Sequence, residues 1–269
     1  MPGSSACILD ANHAPPRYLF NFRQYEVSHC GDCGLIMTGS GFEEGQYEEQ
    51  DYYTMRHSSP AEIYQEWGFR WRWILRRIQS LRASGSSLDV GAGNGLFVKI
   101  AADEFGWKSR GVELSEKEVA FAKRMLDVDI EQKSLNEIPE QFDMVTAFSV
   151  LEHVVDPIGL IREMRDHVKD GGLLVLATPS PTCIQARVKG LEKWGMISPP
   201  HHINIFSRKA LYGLLAKSGF EVVRYDTIST YIQFLRRFER DGTTLRWMVF
   251  QALRLLGLGA DHLVIARKV

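Results

Sequence analysis

This 269-residue chain has no excess of either charge, no long apolar run and little cysteine. Lys+Arg total 32 against Asp+Glu 33, giving a formal net charge of -1, and no block of like charge is long enough for a nucleic-acid footprint. No uninterrupted apolar stretch reaches the length that spans a bilayer, and Met1-Pro2-Gly3-Ser4-Ser5 lacks a basic segment followed by an apolar core. These features point to a cytoplasmic protein without a nucleic-acid or membrane partner. Cysteine is limited to 4 residues, three of them before residue 34 and the last at Cys183, which argues against a disulfide framework and for a metal. Internal repeats and low-complexity tracts are missing too. What is present is 45% hydrophobic content, enough for one large α/β domain plus an appendage.

The most informative segment is Leu88-Asp89-Val90-Gly91-Ala92-Gly93-Asn94-Gly95, a glycine-rich turn where a short buried strand should hand over to a helix. Glycine lets the backbone approach a ligand closely, and the following helix offers unpaired N–H groups. Twenty residues past Gly93, Glu113 ends a second apolar strand, where a carboxylate can accept from ribose hydroxyls. A dinucleotide fingerprint requires G-x-G-x-x-G, but its last position here is Leu96. The turn alone leaves open a nucleoside cofactor, a dinucleotide or an ordinary strand-to-helix connection.

From Ser86 onward, β-branched runs alternate with helical ones, the pattern of a parallel sheet covered by helices. Strands are expected near Ser86 to Val90, Lys108 to Glu113, Val128 to Gln132, Phe142 to Phe148, Gly172 to Ala177, Phe220 to Asp226 and His262 to Arg267. Ser115 with Glu118 predicts a capping box, Asp156-Pro157 starts a helix that should stop at Asp170-Gly171-Gly172, and Ser207 caps another. Ahead of this core, residues 1–59 form a separate small module and linker, leaving 60–269 as the main domain. Ala61 to Leu81 reads as a helix whose Trp67, Trp71 and Trp73 mostly pack in the core. On the same helix Arg72, beside Arg70, Arg76 and Arg77, is a candidate partner for a ligand carboxylate, with surface solvation as the alternative.

Taken together, Leu88 to Gly95, Gly111-Val112-Glu113-Leu114-Ser115, Phe142-Asp143-Met144-Val145 with Val150-Leu151-Glu152-His153-Val154, and Gly171-Gly172-Leu173-Leu174-Val175 resemble the successive motifs of class I S-adenosylmethionine-dependent methyltransferases. The resemblance covers roughly Ala61 to Val269. It implies a Rossmann-like, seven-stranded, mostly parallel sheet with the last strand antiparallel and helices on both faces. It implies S-adenosylmethionine as cofactor and S-adenosylhomocysteine as product. Gly91, Ala92 and Gly93 would then pass beneath the amino-acid part, with Asp89 just ahead of the turn also on the cofactor side, Glu113 would hold the ribose, Leu114 would lie against adenine, and Phe148 and Ser149 would line the methyl-donor pocket. Where the family usually carries a Gly-Asp pair that reads adenine, this chain has Lys133-Ser134-Leu135, which leaves Ser134 and Leu135 as the adenine contacts.

For the acceptor, His153 is a candidate general base, its alternative role being to pack or cap at a helix start. His201 and His202 follow Ser198-Pro199-Pro200 in the connection after the fifth strand, at the position where the resembling family lays a Pro-His…Phe segment over its acceptor. As chain neighbours they should point in different directions, which disfavours a metal shared by that pair. Trp194 and Met196 are candidate apolar walls.

Cys30-Gly31-Asp32-Cys33-Gly34 has the form of a zinc knuckle, half of a structural site. Cys7 is the third ligand by position, and either His13 or Asp10 can supply the fourth; nitrogen is the better donor beside thiolates, which favours His13. The module is similar to N-terminal zinc ribbons of some small-molecule methyltransferases, where a Tyr-Tyr segment follows; here Asp51-Tyr52-Tyr53 matches it, and Tyr53 would close over the cofactor. The leading expectation is methylation of a small-molecule acceptor, oxygen favoured over carbon or nitrogen, in metabolite, natural-product or sugar biosynthesis. A catalytically silent partner subunit and a dinucleotide-dependent oxidoreductase are the alternatives. The segment from Tyr231 to Gly259 could cover the site or make a homodimer contact, its Leu245, Val249, Leu253 and Leu256 stripe reading as a packing face.

Overall fold

The computed structural model describes residues 6–38, 57–229 and 243–269. Tyr53 and its neighbours lie outside the described residues, as does most of the stretch following Ser229. The chain opens with three short strands, β1 (Arg17–Phe22), β2 (Tyr25–His29) and β3 (Ile36–Thr38), then the long helix α1 (Pro60–Gln79). Ser59 caps α1 by accepting from Glu62 N–H, proline occupies its first turn, and Ile63, Trp73, Ile74, Leu75 and Ile78 form its buried stripe. The main domain then runs β4 (Ser86–Val90), α2 (Leu96–Phe105), β5 (Lys108–Glu113), α3 (Glu116–Leu126), β6 (Ile130–Gln132), β7 (Phe142–Phe148), α4 (Pro157–Asp166), β8 (Val168–Pro179), α5 (Ile184–Lys189), β9 (Asn204–Ile205), α6 (Arg208–Lys217), β10 (Phe220–Ile228), α7 (Thr243–Leu255) and β11 (Asp261–Lys268).

Seven strands form one sheet in the order β10-β11-β8-β7-β4-β5-β6, with β11 antiparallel to both neighbours and the other described pairings parallel. That is the Rossmann-like arrangement expected from the motifs. Central strands β7 and β8 are apolar along nearly their whole length because helices cover both faces. On one face α1, α2, α3 and α7 contribute Ile74, Phe97, Phe121 and Phe250 to a single core. On the other, α4 and α6 contribute Ile161, Met164, Leu211 and Leu214, and the N-terminal module adds Cys7, Cys30, Cys33, Leu35 and Met37.

The module is not self-contained. Its antiparallel sheet has the order β1-β2-β3-β9, and its fourth strand, Asn204–Ile205, is lent by the connection between β8 and α6. A third core of Val27, Ile36, Cys183, Trp194, Ile197 and Ile205 seals that junction. Trp194 is therefore core packing rather than a substrate wall, and Cys183 caps α5 instead of joining the other cysteines.

Three local expectations differ from the structure. The helix beginning at Pro157 ends at Asp166, not at Asp170, because the chain enters the sheet at once: Val168 pairs with Phe142, and the register then slips to Met144 against Leu173. The slip places 169–172 in an irregularity with Gly171 at φ +68. Ser115 caps α3 by accepting from Glu118 N–H, but its own N–H goes to Glu113 Oε1, so the box is open on that side. Among the described side chains of α7, from Trp247 on, Phe250 and Leu253 are buried, while Leu256 is exposed beyond the helix end.

Candidate active site

β4 lies between β5 and β7, so the strand order reverses at its carboxyl end, the place where open α/β sheets bind ligands. The glycine turn sits there. Gly91 and Gly93 take φ values of +68 and +51, and the N–H groups of Gly91 and Ala92 both donate to Val112 O, at 2.9 and 3.0 Å. A Cβ on Gly91 would come within 2.7 Å of Val150 Cγ2, so only glycine fits against the segment that follows β7. Gly91 is exposed and Gly93 half-buried, which leaves their backbone open to a ligand.

Glu113 clamps this turn. Oε2 accepts from Gly93 N–H at 3.0 Å, and Oε1 accepts from Leu114 N–H at 2.8 Å and Ser115 N–H at 3.1 Å. One carboxylate thus ties the turn after β4 to the start of α3. Asp89 is buried beneath it, accepts from Thr146 Oγ1 at 2.5 Å, and has its pKa raised to about 7 by burial, with the Glu113 charge adding to the rise. Leu114 is 65% exposed, an apolar surface available to a flat ring. Leu135 is buried nearby in sequence, and Ser134 caps the short turn Leu135–Glu137, its Oγ 2.6 Å from Asn136 Oδ1 and 2.7 Å from Glu137 Oε2.

In this structure Arg72 is paired with a carboxylate of the chain: its guanidinium makes a two-pronged pair with Glu104 at the end of α2, at 2.6 and 2.7 Å. Its neighbour Arg70 is buried and donates to Asp261 Oδ2 at 2.6 Å. Trp71 packs against the core as its helical spacing predicts, half-buried on α1 with its ring 4.9 Å from Phe148 and 5.6 Å from Phe97.

Beyond β7, Ser149 is exposed and adopts φ +56, an uncommon conformation for a residue with a Cβ and the kind of strain that collects at functional turns. Its N–H is held by Ala177 O at 2.8 Å. The next turn, Leu151–His153, carries the candidate base. His153 Nδ1 is 2.8 Å from His201 O, and His202 Nδ1 is 2.9 Å from Met196 O. A carbonyl can only accept, so both Nδ1 atoms carry the proton and both Nε2 atoms carry the lone pair. The two rings meet edge to face with centroids 4.8 Å apart. Burial, then the neighbouring His202, pushes His153 down to about 4, and burial also lowers His202.

Glu152 lies under the pair, accepting from Thr178 Oγ1 at 2.9 Å, with burial raising its pKa to about 8. One donor atom from each of Glu152, His153 and His202 falls within 4.8 Å of the others. The structure sets the His202 ring against that of His153, across forty-nine positions of sequence. His201 contributes its backbone carbonyl.

In the N-terminal module Cys7, His13, Cys30 and Cys33 bring their donor atoms within 4.8 Å of one another. Cys7 Sγ is 3.6 Å from Cys33 Sγ and Cys30 Sγ is 3.5 Å from His13 Nδ1. Asp10, the rival fourth ligand, pairs with Lys217 Nζ at 2.5 Å, which holds its carboxyl down at about 2. Asp10 Oδ2 also lies 3.9 Å from His13 Nε2, behind the ring rather than among the donors. Three sulfurs and one imidazole nitrogen suit a tetrahedral structural zinc. Burial raises the Cys7 thiol and takes Cys33 up to about 12; at Cys30 burial is outweighed by the N–H groups of Cys33 and Asp32, which lower it. Cys7 and Cys33 would be thiolates at neutral pH only with a cation among the four donors.

Among the described residues no helix is long and apolar enough to cross a membrane. The sequence matches the methyltransferase domain family over residues 61–225, well over half of the chain. It is 36% identical over 118 residues to a ubiquinone biosynthesis O-methyltransferase of Pseudomonas entomophila, covering 40% of this chain and 50% of that one. With another of that name from Pseudomonas fluorescens it shares 35% identity over 163 residues, 56% of this chain and 69% of the relative. The chain thus spans about half the length of the first of these relatives. A crystal structure of an S-adenosylmethionine dependent methyltransferase from Mesorhizobium loti superposes with a TM-score of 0.54 at 21% identity, covering 74% of this chain and 98% of the other. Family, sheet order and glycine turn agree: the chain belongs to the methyltransferase domain family and has the class I methyltransferase fold.

Proposed function

We propose that this chain transfers a methyl group from S-adenosylmethionine to an oxygen of a small-molecule acceptor. The observation that carries this is adjacency: the glycine turn ends β4, and the turn bearing His153 ends β7, its hydrogen-bonded neighbour. Bound above Gly91, Ala92 and Gly93, the cofactor supplies an electrophilic methyl group on a sulfonium. Glu113 holds the turn and is placed for ribose, while Leu114, Leu135 and the Ser134 turn offer the adenine contacts.

On the acceptor side, the chain's work is orientation and proton handling. Methyl transfer is an in-line displacement, so most of its acceleration comes from holding the nucleophile in place. The Nε2 lone pair of His153, kept neutral by burial, accepts the proton of an acceptor hydroxyl, and that of His202 orients it. An imidazole whose conjugate acid has a pKa of about 4 is a weak base, so it suits an acidic hydroxyl such as a phenol. Oxygen as the nucleophile is supported by the O-methyltransferase name of the relatives.

A second reading is favoured by the convergence of Glu152, His153 and His202, a carboxylate and two imidazoles in the arrangement that binds a divalent cation with open positions. In that reading Glu152, His153 and His202 would hold the cation, which would supply Lewis-acid polarisation. In the N-terminal module, zinc held by Cys7, His13, Cys30 and Cys33 is structural.

Calorimetric titration with S-adenosylhomocysteine, followed by turnover of His153→Ala and His202→Ala on a panel of phenolic and sugar acceptors, tests the proposal. Both variants should retain product affinity within about three-fold and lose turnover by about 100-fold or more. No binding at millimolar concentration rejects the donor reading, and unchanged turnover rejects the histidines. A second metal equivalent per chain, beyond that of the N-terminal module and lost in His153→Ala, decides for the metal.

A further inference from the structure

We infer that the N-terminal metal centre positions the acceptor histidine His202, so that zinc occupancy governs acceptor binding through a strap of backbone shared by the module and the catalytic turn. The inference rests on the zinc and acceptor readings above.

The strap begins at the metal ligands. Cys33 is followed by Gly34 at φ +78 and then by β3, so the backbone that leaves the thiolate becomes the strand facing the acceptor loop within three residues. Along that strand Ile36 pairs with Ile205 and Met37 with Asn204; Thr38 N–H donates to Ile203 O at 3.0 Å and Thr38 Oγ1 to His202 O at 3.2 Å. From its other edge the same loop grips the catalytic turn. Ile203 N–H donates to Glu152 O at 2.9 Å, and Asn204 Nδ2 donates to Val154 O at 2.8 Å. Residues 202–204 are thus bonded on one side to the strand after Cys33 and on the other to the turn carrying His153.

Helix α6, which leaves the loop, is fastened to the same centre at both ends. Its N-cap Ser207 donates Oγ–H to Cys33 O at 2.5 Å while accepting from Ala210 N–H at 3.0 Å. A Cβ on Gly34 would come within 2.9 Å of that hydroxyl, so the knuckle and the helix start are fitted to each other. At the far end Lys217 Nζ donates to Leu9 O at 3.0 Å and pairs with Asp10, three residues after Cys7. The cofactor half has no such tie: the hydrogen bonds described for Asp89, Gly91, Ala92, Gly93 and Glu113 all run to residues of the main sheet, its own turn or the start of α3. Without the cation, three buried sulfurs lose what brings them together, and β3 and Ser207 lose their anchor while the β4 turn keeps its own.

The test is amide hydrogen exchange on the full chain, zinc-loaded against chelated, with S-adenosylhomocysteine affinity measured on both. Chelation should speed exchange at Thr38 and Ile203 at least ten-fold, with product affinity and exchange in β4 and β7 changed less than two-fold. Unchanged exchange at Ile203 after verified zinc removal overturns the inference, as does a protein that takes up no zinc. Should chelation unfold the main sheet, seen as lost protection in β4 and β7, a zinc-loaded Thr38→Val variant decides. Removing only the bond to His202 O should speed exchange at Ile203 by about five-fold and raise the acceptor KM without moving product affinity. Exchange equal to wild type in that variant also overturns it. Absent product binding in zinc-loaded protein would reject the methyl-donor reading and leave the exchange result to judge the strap on its own.

Discussion

Glu113→Gln is the sharpest test of the cofactor half. The substitution keeps size and shape but turns one carboxylate oxygen into an NH2 group that can only donate. Wild-type Glu113 receives three N–H groups on two oxygens, Gly93 on one and Leu114 with Ser115 on the other. The amide satisfies most of them by keeping its oxygen on the Leu114 and Ser115 side. Its NH2 then faces Gly93 N–H, donor against donor, at the side-chain contact that supplements the backbone bonds from Gly91 and Ala92 to Val112 in β5. A hydrogen bond to a charged group is worth about 1.5–3 kcal/mol, and the half-buried position of Glu113 argues for the lower end. About 1.4 kcal/mol corresponds to ten-fold in a dissociation constant. Calorimetry should therefore show S-adenosylhomocysteine binding weakened about ten-fold or more, as turn and ribose contact weaken together. Scanning calorimetry should show Tm lower by about 3–6 °C, since 1 kcal/mol moves a domain of this size by about 2–4 °C. Product affinity within two-fold of wild type would refute the clamp, and lowered affinity at unchanged Tm would confine Glu113 to the ligand.

Two further outcomes are expected. Arg70→Met leaves Asp261 at the start of β11 without its buried cation, which should cost about 3–5 kcal/mol in urea denaturation, whereas the double variant Arg70→Met with Asp261→Leu should recover most of it; a single variant as stable as wild type refutes the pairing. His262 is buried between Tyr225 O–H at 2.7 Å and Phe206 O at 3.0 Å, and burial lowers it from 6.5 to about 4. The folded state therefore resists a proton that the unfolded chain takes up, so this contribution is full above pH 6.5 and is lost as pH falls toward 4, by roughly 3 kcal/mol. Asp89 and Glu152, raised by burial, act in the opposite sense, their contributions shrinking as pH rises through about 4 to 8. Comparison of wild type with His262→Gln between pH 7.5 and 4.5 isolates the histidine: the variant should lose less stability on acidification, and equal losses refute the assignment.

The parts of the fold legible in sequence are those decided by chemistry within a few residues. β4, β5 and β7 begin and end where their apolar runs do, and Ser115, Asp156 and Ser207 cap the helices they precede, because capping needs only a side-chain oxygen and the next turn. β8 starts early because Val168 answers to Phe142, a partner twenty-six positions away. The same distinction runs through the site. Asp10 holds the C-x-x-C position and donor chemistry favours His13; the structure adds that Asp10 pairs with Lys217, more than two hundred residues on, while His13 lies among the sulfurs. His202 is one neighbour of a pair in sequence; only the loop's pairing with β3 and the catalytic turn sets it against His153 and leaves His201 to offer a carbonyl.

That contrast bears on how such a chain can change its acceptor. Turn, clamp and Asp89 lie within the short unit from β4 to the start of α3, with Thr146 on the adjacent strand, so nearly every alteration there disturbs cofactor geometry. The proposed acceptor side is assembled from three separated pieces, the turn after β7, the loop before α6 and the strand after Cys33, each joined to the next by backbone bonds that do not depend on side-chain identity. Residues facing the acceptor from those pieces can vary while the ladder holds. The module's borrowed strand thus gives the loop a fixed edge in place of a free one, and a long connection that would otherwise sample many conformations presents His202 in one. Fixing that geometry before the acceptor arrives removes an ordering cost from binding, and orientation is the part of methyl transfer that the chain's own residues control.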